Sequence, residues 1–231
     1  MSVRFSSPVF LALDTPDLKK AIAVARAVAP YVGGLKVGLE FITALGPDAV
    51  REIVALGKPV FADTKFHDIP NTVAGASSAI AELGVSIFNI HVSGGSAMMR
   101  AAKEAAGGKA KVIGVTVLTS MDENDIDSVG QRGPATAQVE RLAKLAKSSG
   151  LDGVVCSPHE IALVRKACGP DFLIVTPGVR PAGSDVADQR RVMTPLEAAR
   201  AGADILVIGR PIFAAPDPVA AAKAIAAELA G

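Results

Sequence analysis

Short apolar runs alternate with longer, alanine-rich segments of helical period along the whole chain. Consecutive apolar residues are typical of buried strands, and apolar residues spaced three and four apart are typical of amphipathic helices. We predict strands at Val9–Leu13, Leu35–Val37, Val60–Ala62, Ile87–His91, Val112–Val117, Gly153–Cys156, Leu173–Val175 and Ile205–Ile208. We predict helices at Asp17–Ala29, Pro47–Ala55, Val73–Leu83, Ser96–Ala106, Thr136–Ser148, Pro158–Cys168, Pro195–Ala201 and Asp217–Leu229.

The order of these elements predicts an α/β fold, a single-domain (β/α)8 TIM barrel that spans residues 1–231. Strands of continuous Val, Ile and Leu belong to parallel sheets covered on both faces, and alternation with helices is typical of the barrel. A doubly wound open sheet is the alternative. Polar residues at the predicted strand ends favour the barrel, because it gathers those ends on one rim. They are Asp14, Lys36, Asp63, His91, Thr119, Arg180 and Arg210.

The composition is that of an ordinary globular protein, with 50% hydrophobic and 20% charged residues and a formal net charge of +1. This balance gives no reason to expect nucleic acid or an anionic membrane as a partner. Cys156 and Cys168, the two cysteines, lack metal-binding spacing and indicate reduced thiols. Reduced thiols are typical of a cytosolic protein, so we expect a cytoplasmic location. The sequence shows neither a signal peptide nor a transmembrane span.

A cluster of alternating charges, Asp63, Lys65 and Asp68, follows the third predicted strand. Residues i and i+2 of a strand share a face, so Asp63 and Lys65 should lie side by side. Asp68 lies beyond the strand end, where Pro70 prevents the ladder from continuing. Buried charges are costly unless they pair or take part in chemistry. The spacing alone leaves two interpretations open, a salt-bridge cluster that fixes a loop and an active site.

Other charged residues at strand ends are candidates for the same site. Lys36 lies in an apolar strand, where a lysine is costly unless it is paired. Asp14 is either a site residue or the N-cap of the first helix. Arg180 and Arg210 follow the seventh and eighth strands, whose loops commonly bind phosphate in barrels. Two long irregular segments, 119–133 and 176–193, also stand out, and the second has the composition of a lid that closes over an anion.

The sequence contains none of the common cofactor or metal motifs. The three histidines, His67, His91 and His159, have no metal-binding spacing. A Walker A motif, a G-x-G-x-x-G motif and a serine nucleophile elbow are also absent from it. A site made of Asp and Lys without such motifs indicates proton or electrostatic chemistry on a phosphorylated small molecule.

Taken together, the motifs resemble the orotidine 5'-phosphate decarboxylase family of the bacterial type. The D-x-K-x-x-D-I-P-N-T string at 63–72 is highly specific for it. Weaker motifs follow the family's order over essentially the whole length, namely Leu13-Asp14, Lys36-Val37-Gly38, the segment 118–121, the segment 176–181 and the segment 209–212. The resemblance implies decarboxylation of orotidine 5'-monophosphate to UMP without metal or cofactor, the last step of de novo pyrimidine synthesis. It also implies a homodimeric TIM barrel with active sites at the dimer interface.

The resemblance further implies roles for the matching residues. Lys65 would protonate C6 of the pyrimidine, and Asp63 would lie beside the substrate carboxylate. Asp68 and Thr72 would come from the partner subunit, where Asp68 completes an alternating charge network that includes Lys36. The other substrate-binding residues would be Asp14 and Lys36 at the ribose, Thr119 or Ser120 at the pyrimidine ring, and Arg180, Gln189, Gly209 and Arg210 at the phosphate, together with Pro181.

Two other functions remain open. In the first, the chain resembles a related barrel branch with a similar D-x-K-x-x-D motif, that of 3-keto-L-gulonate 6-phosphate decarboxylase and hexulose-phosphate synthase. These enzymes use Mg²⁺ and need a further acidic ligand, for which Glu40 is the candidate. The second alternative is a non-catalytic barrel that binds a phosphosugar, and the intact set of Asp63, Lys65 and Asp68 argues against it.

Overall fold

The computed structural model describes residues 5–131, 133–181 and 193–231. Its strands are β1 (Val9–Ala12), β2 (Gly34–Val37), β3 (Val60–Phe66), β4 (Ile87–His91), β5 (Lys111–Val115), β6 (Gly153–Val155), β7 (Leu173–Thr176) and β8 (Ile205–Ile208). Its α-helices are α1 (Leu18–Val28), α2 (Leu39–Val54), α3 (Pro70–Ala81), α4 (Gly95–Ala105), α5 (Glu123–Ser128), α6 (Ala135–Ser148), α7 (Ile161–Cys168), α8 (Pro195–Arg200), α9 (Arg210–Phe213) and α10 (Pro218–Ala230). Short 3₁₀ turns, Val92–Gly94 and Pro158–Glu160, precede α4 and α7. None of the helices in these ranges is long and apolar enough to cross a bilayer.

The strands form a closed parallel barrel. Each strand pairs with its neighbours in sequence, and β8 pairs with β1, so the order around the barrel is β1 to β8. The predicted (β/α)8 TIM barrel is confirmed, and the open doubly wound sheet is wrong. Closure brings the carboxyl ends of all eight strands to one rim, which is where barrel active sites lie.

The apolar core has two parts, as the alternation of strand side chains requires. Along β1, Val9 and Leu11 belong to the larger cluster, which includes the buried faces of the helices. Phe10 belongs to a smaller cluster with residues of β3, β4, β5, β7 and β8. Gly34 on β2 leaves room for Phe10, since a Cβ at Gly34 would lie 2.4 Å from the phenyl ring.

Three element boundaries near the rim differ from the prediction. β3 continues beyond Ala62 to Phe66, so its charged residues lie within the strand rather than after it. α3 begins at Pro70 because proline suits the first helical turn. α2 begins at Leu39 and kinks at Gly46, which has a φ of 76°. The Gly46-Pro47 pair therefore marks a kink within the helix, although its sequence is typical of a helix start.

The two long segments that the sequence predicts to be irregular have different outcomes. The first contains α5, whose N-cap Asp122 accepts hydrogen bonds from the backbone N–H groups of Asn124 and Asp125. The second includes residues 182–192, which lie outside the described residues, as does the predicted phosphate ligand Gln189. Past β8 the chain enters α9 directly at Arg210, so this arginine begins a short helix rather than lying in a loop.

Candidate active site

A cavity of about 200 Å³ lies at the carboxyl ends of the strands. Its walls are apolar except at Asp63, Lys65 and Thr119. The apolar wall residues are Phe61, Val115, Val117, Leu118, Val155, Val175, Pro177 and Val207. Apolar walls lower the local dielectric, so the few charges that face this cavity act more strongly than they would in water.

Alternating charges from three neighbouring strands meet beside this cavity. The Lys36 Nζ atom lies 2.7 Å from Oδ1 of Asp14 and 3.8 Å from Oδ2 of Asp63. The Lys65 Nζ atom lies 2.6 Å from Oδ1 of Asp63. Lys36 is only 6% exposed, and the two carboxylates on either side of it compensate for the lost hydration of its ammonium group. We call Asp14, Lys36, Asp63 and Lys65 the ion cluster.

The ion cluster keeps Asp63 ionised. Burial alone would raise the pKa of its carboxyl. The ammonium groups of Lys36 and Lys65, with hydrogen bonds from Lys65 and Asn89, outweigh burial and hold the pKa below its ordinary value. A fixed carboxylate between two ammonium groups suits a reaction in which negative charge moves within the site.

A bulge in β3 sets the direction of Lys65. The β3–β4 pairing shifts register between Ala62 and Phe66, so that Asp63, Thr64 and Lys65 lie opposite the single residue Asn89. Lys65 has a φ of 51°, the only positive value among the described non-glycine residues. Asp63 and Lys65 lie side by side as predicted, but through a bulge rather than the regular pleat. Bulges commonly re-aim side chains next to active sites.

Sequence reasoning missed Asn89, which is fully buried on β4. Its Oδ1 accepts the backbone N–H of Lys65 at 2.7 Å, and its Nδ2 donates to Oδ1 of Asp63 at 2.6 Å. Its backbone carbonyl accepts the Thr64 hydroxyl at 2.8 Å. The signal in the sequence was a single asparagine inside the apolar run Ile87-Phe88-Asn89-Ile90, because a buried polar residue needs partners.

Asp14 is a member of the ion cluster and does not cap α1. The N-cap is Asp17, whose Oδ1 accepts the backbone N–H of Lys20 at 3.0 Å. Gly38 explains part of the Lys36-Val37-Gly38 motif. A Cβ at Gly38 would lie 2.9 Å from Lys36 Nζ and 3.1 Å from Asp14 Oδ1, so only glycine leaves space for this ion pair.

The structure distinguishes between the two hydroxyl candidates after β5. Thr119 lines the cavity together with Asp63 and Lys65. Ser120 is exposed in the following turn and is not one of the cavity residues. Of the two candidates, Thr119 is therefore the one that faces the cavity.

The two candidate arginines follow neighbouring strands. Arg180 is 9% exposed, and its Nη1 donates to the carbonyl of Val179 at 3.0 Å. Its backbone N–H donates to the carbonyl of Met193, and this hydrogen bond joins two parts of the segment 176–193. Arg210 is exposed at the start of α9. Pro181 and Pro211, which follow the two arginines, line one cavity of about 250 Å³, so the β7 and β8 segments converge.

Gly209, the N-cap of α9, completes this part of the rim. A Cβ at Gly209 would lie 3.3 Å from the Cβ of Ala12 and 3.7 Å from Oδ2 of Asp14. The glycine therefore lets the end of β8 approach the end of β1 closely, beside the ion cluster.

Comparisons with known proteins identify the family. The family described as "Orotidine 5'-phosphate decarboxylase / HUMPS family" matches residues 7–225. The chain belongs to this family. Among its relatives, the orotidine 5'-phosphate decarboxylase of Moorella thermoacetica is 57% identical over 230 residues, covering 96% of this chain and 91% of the relative. That of Anaeromyxobacter sp. (strain K) is 55% identical over 224 residues, covering 97% and 99%.

Solved structures agree with this assignment. The crystal structure of orotidine 5'-phosphate decarboxylase from Lactobacillus acidophilus has a TM-score of 0.86 and 36% sequence identity, covering 98% of this chain and all of that one. The corresponding structure from Pyrococcus horikoshii has a TM-score of 0.79 at 26% identity, covering 96% and 99%. The barrel is therefore shared with proteins of this family that differ from the chain at most positions.

In this family member, Asp68 does not join the ion cluster of its own chain. Its Oδ1 accepts the backbone N–H of Ile69 at 2.6 Å, and no ion pair of Asp68 occurs within the described ranges. Asp68 and Thr72 are both exposed. The predicted charge network is thus assembled within one chain except for Asp68.

Glu40, the candidate metal ligand of the alternative family branch, is exposed in the first turn of α2. In the part of the chain that the structure describes, no three His, Cys, Asp or Glu side chains are grouped so that they could hold a metal ion. Glu40 is therefore not grouped there with Asp63 and another such residue.

Two histidines lie at the edge of the site. The rings of His67 and His91 are 5.5 Å apart, with 31° between their planes. Burial lowers the pKa of His91, and His67 and Lys65 lower it further, while Asp63 opposes them. His91 therefore favours its neutral form beside the ion cluster.

Proposed function

We propose that this protein decarboxylates orotidine 5'-monophosphate to UMP and carbon dioxide, the last step of de novo pyrimidine synthesis. The observation that carries the proposal is the Lys36–Asp63–Lys65 arrangement beside the apolar cavity. Relatives at 50–57% identity that are named orotidine 5'-phosphate decarboxylase support the same substrate.

Lys65 supplies the proton. When the bond between C6 and the carboxylate breaks, carbon dioxide leaves and the electron pair stays at C6. An ammonium group already held by Asp63 stabilises this charge without reorganising during the reaction. Lys65 then gives a proton to C6, which completes UMP, and solvent restores the proton on Lys65.

Asp63 acts in two ways. It holds the Lys65 ammonium at 2.6 Å, which favours the protonated lysine. It also lies beside the substrate carboxylate, and their repulsion falls as that carboxylate leaves as carbon dioxide. The lowered pKa of Asp63 supports both roles, because each needs an ionised group.

The rest of the rim positions the nucleotide. The pyrimidine enters the cavity beside Thr119, and Asp14 and Lys36 hold the ribose hydroxyls. The phosphate is held farther out, by Arg180, Gln189, Gly209 and Arg210 with the neighbouring Pro181. Because it is remote from C6, the phosphate contributes to the rate through positioning.

The reaction we propose needs neither metal nor cofactor, and one domain of residues 1–231 carries it out in the cytoplasm. The wild-type protein should consume orotidine 5'-monophosphate, followed by ultraviolet absorbance, at the same rate with and without excess EDTA. Loss of turnover with EDTA would favour the Mg²⁺-dependent branch of the family. Absence of turnover in both would favour a non-catalytic barrel that binds a phosphosugar.

We also propose that the protein is a homodimer in which Asp68 and Thr72 complete the partner's site. The exposed position of Asp68, outside its own ion cluster, supports this. Apolar side chains at the same rim support it too. Leu39 is 54% exposed after β2, and Ile69 is 67% exposed after β3. A second copy would cover both, and exposed large apolar side chains often mark such contacts.

Subunit mixing tests the shared site. Lys65→Ala and Asp68→Ala proteins, each inactive alone, should regain about one quarter of wild-type activity when they are mixed in equal amounts and exchange subunits at random. A mixture of Lys65→Ala and Asp63→Ala is the matched control. It should stay inactive, because both residues belong to the same chain's site. No recovery in the first mixture would contradict the shared site.

A further inference from the structure

We propose that Asn89 is a positioning residue, whose side-chain amide holds the β3 bulge and the Asp63 carboxylate in the geometry that aims Lys65. The proposal rests on the decarboxylation proposed above. Asn89 does not line the cavity, so it acts through its neighbours rather than on the substrate.

The bulge needs a partner for the backbone of Lys65. Opposite Asp63–Lys65 the regular β3–β4 register is interrupted, and an unpaired buried N–H is costly. The Asn89 Oδ1 atom accepts the Lys65 N–H at 2.7 Å and so replaces the missing ladder bond. Lys65 adopts a φ of 51° at this point, a conformation that persists only where its surroundings hold it.

The other end of the same amide orients Asp63. Oδ1 of Asp63 accepts both the Asn89 Nδ2 at 2.6 Å and the Lys65 Nζ at 2.6 Å, while Oδ2 faces Lys36 at 3.8 Å. The carboxylate plane is therefore fixed from three sides. The amide orientation is also fixed, since the Lys65 N–H can only donate and the carboxylate can only accept.

Few side chains can replace this amide. Aspartate is almost isosteric and keeps the acceptor for the Lys65 N–H, but it places a second carboxylate against Asp63 instead of a donor. Glutamine carries both functions on a chain that is one methylene longer, in a position that is fully buried. Alanine removes both functions.

Thr64 offers a matched control on the same pair of strands. Its hydroxyl donates to the Asn89 backbone carbonyl at 2.8 Å, and Thr64 is 8% exposed. Thr64→Val removes one buried hydrogen bond of the bulge with almost no change in shape. It leaves both contacts of the Asn89 amide intact, so it measures the effect of loosening the strand pair alone.

The test compares Asn89→Ala, Asn89→Asp and Thr64→Val with the wild type. Both Asn89 variants should lose about 100-fold in kcat, as expected for a misplaced reacting group, with the Kd for UMP unchanged. The acid limb of the kcat–pH profile, which follows ionisation of Asp63, should move to higher pH in Asn89→Ala because Asp63 loses a hydrogen-bond donor. It should move farther in Asn89→Asp because Asp63 also gains a neighbouring carboxylate. The titratable groups that face Asp63 in the wild type, namely Lys36, Lys65 and His91, are kept in every variant, and only Asn89→Asp adds a further one. Thr64→Val should keep the wild-type profile.

Two results would overturn the role of Asn89. One is wild-type kcat in both Asn89 variants, and the other is a loss of kcat that Thr64→Val reproduces with no shift of the acid limb. If the wild type itself does not turn over orotidine 5'-monophosphate, the proposed function fails. In that case the pKa of the Asp63 carboxyl, measured by ¹³C NMR, tests the role of Asn89. A pKa that is raised in Asn89→Ala supports the role, and an unchanged pKa refutes it.

Discussion

Aspartates pair with cations at both ends of the barrel, but their partners differ. At the amino ends, Oδ2 of Asp152 accepts from Lys103 Nζ at 2.5 Å and from the backbone N–H of Val112 at 2.7 Å. Asp204 makes the same pair of contacts there with an arginine and the backbone N–H of Ile174. At the carboxyl ends, every contact of the Asp63 carboxylate that occurs in the described part of the chain is to a side chain.

The difference separates ion pairs that join neighbouring strands from the ion cluster of the candidate site. Asp152 and Asp204 each bind the backbone of a neighbouring strand, so their charges help to hold the barrel together. In the described part of the chain, Asp63 binds the side chains of Lys36, Lys65 and Asn89. Of these, Lys65 lines the cavity, so the geometry that Asp63 maintains is that of the candidate site. A pair of charges alone does not distinguish the two cases, whereas the backbone hydrogen bond does.

Cavity size does not mark the functional end either. A cavity of about 810 Å³ lies at the amino ends and is lined by several lysines. Lys58 donates to the carbonyl of Val32, Lys103 pairs with Asp152, and Lys109 pairs with Glu82. These lysines bind neighbouring parts of the barrel, while the smaller cavity at the rim is lined by Asp63 and Lys65 of the ion cluster.

The largest expected effect is that of Lys65→Ala. We expect kcat to fall by at least about 1000-fold, since a preorganised charge at the reacting atom is lost. The Tm should change little. The matched variant at the other end, Lys103→Ala, should keep kcat and lose up to about 1 kcal/mol in the free energy of unfolding. Ultraviolet turnover assays and urea unfolding measure both quantities, and a reversed pattern would contradict the comparison.

The second expected effect is on stability. Asp204→Ala leaves the Ile174 N–H and the Arg165 guanidinium without their carboxylate. We expect the free energy of unfolding to fall by about 2–3 kcal/mol, with kcat unchanged. Urea unfolding and steady-state kinetics on the same preparation check this. A loss of kcat at unchanged stability would show that the amino end also serves the site.

A smaller effect is expected from Gly38→Ala. The new Cβ would lie 2.9 Å from Lys36 Nζ and should displace this ammonium from Asp63, lowering kcat about tenfold. A double-mutant cycle isolates the cause. In a Lys36→Ala background, Gly38→Ala should have no further effect on kcat. An equal loss in both backgrounds would place the clash elsewhere.

The smallest expected effect concerns acid stability. The pKa of Asp63 in the folded protein lies below its ordinary value of 3.8, so its ionisation stabilises the fold fully above that value. This contribution is lost as pH falls from 3.8 through the lower, folded-state pKa. As pH falls through that range, the free energy of unfolding of the wild type should therefore decrease relative to that of Asp63→Asn. A difference that does not change with pH would contradict the lowered pKa.

The sequence was sufficient to predict the barrel and most of the rim. Continuous apolar runs identify buried parallel strands, and charges at their ends, such as Lys36 and Asp63, have little reason to be there except pairing or chemistry. The predicted start of the second helix at Pro47 was wrong, because Gly46-Pro47 is typical of a helix start but here marks a kink within α2. The direction in which a helix continues past such a pair depends on tertiary packing.

The sequence marks Asn89 as a buried polar residue, but the bulge that it supports could not be predicted from the sequence. A bulge depends on the register between two strands, which the sequence of one strand does not specify. The structural roles of Asp152 and Asp204 were missed for a similar reason. Each precedes a strand, but its backbone partner lies on the neighbouring strand of the barrel.

The central claim is that an ammonium group at position 65 makes the rim catalytic, and chemical modification tests it most directly. Lys65 is 29% exposed, whereas Cys156 and Cys168 are 0% and 2% exposed, so a Lys65→Cys variant can be alkylated selectively. 2-Bromoethylamine, which restores an ammonium group of similar reach, should recover turnover of orotidine 5'-monophosphate in the inactive variant. Iodoacetamide, which adds a neutral group, should not. Equal recovery with both reagents, or near-normal turnover before treatment, would contradict the account.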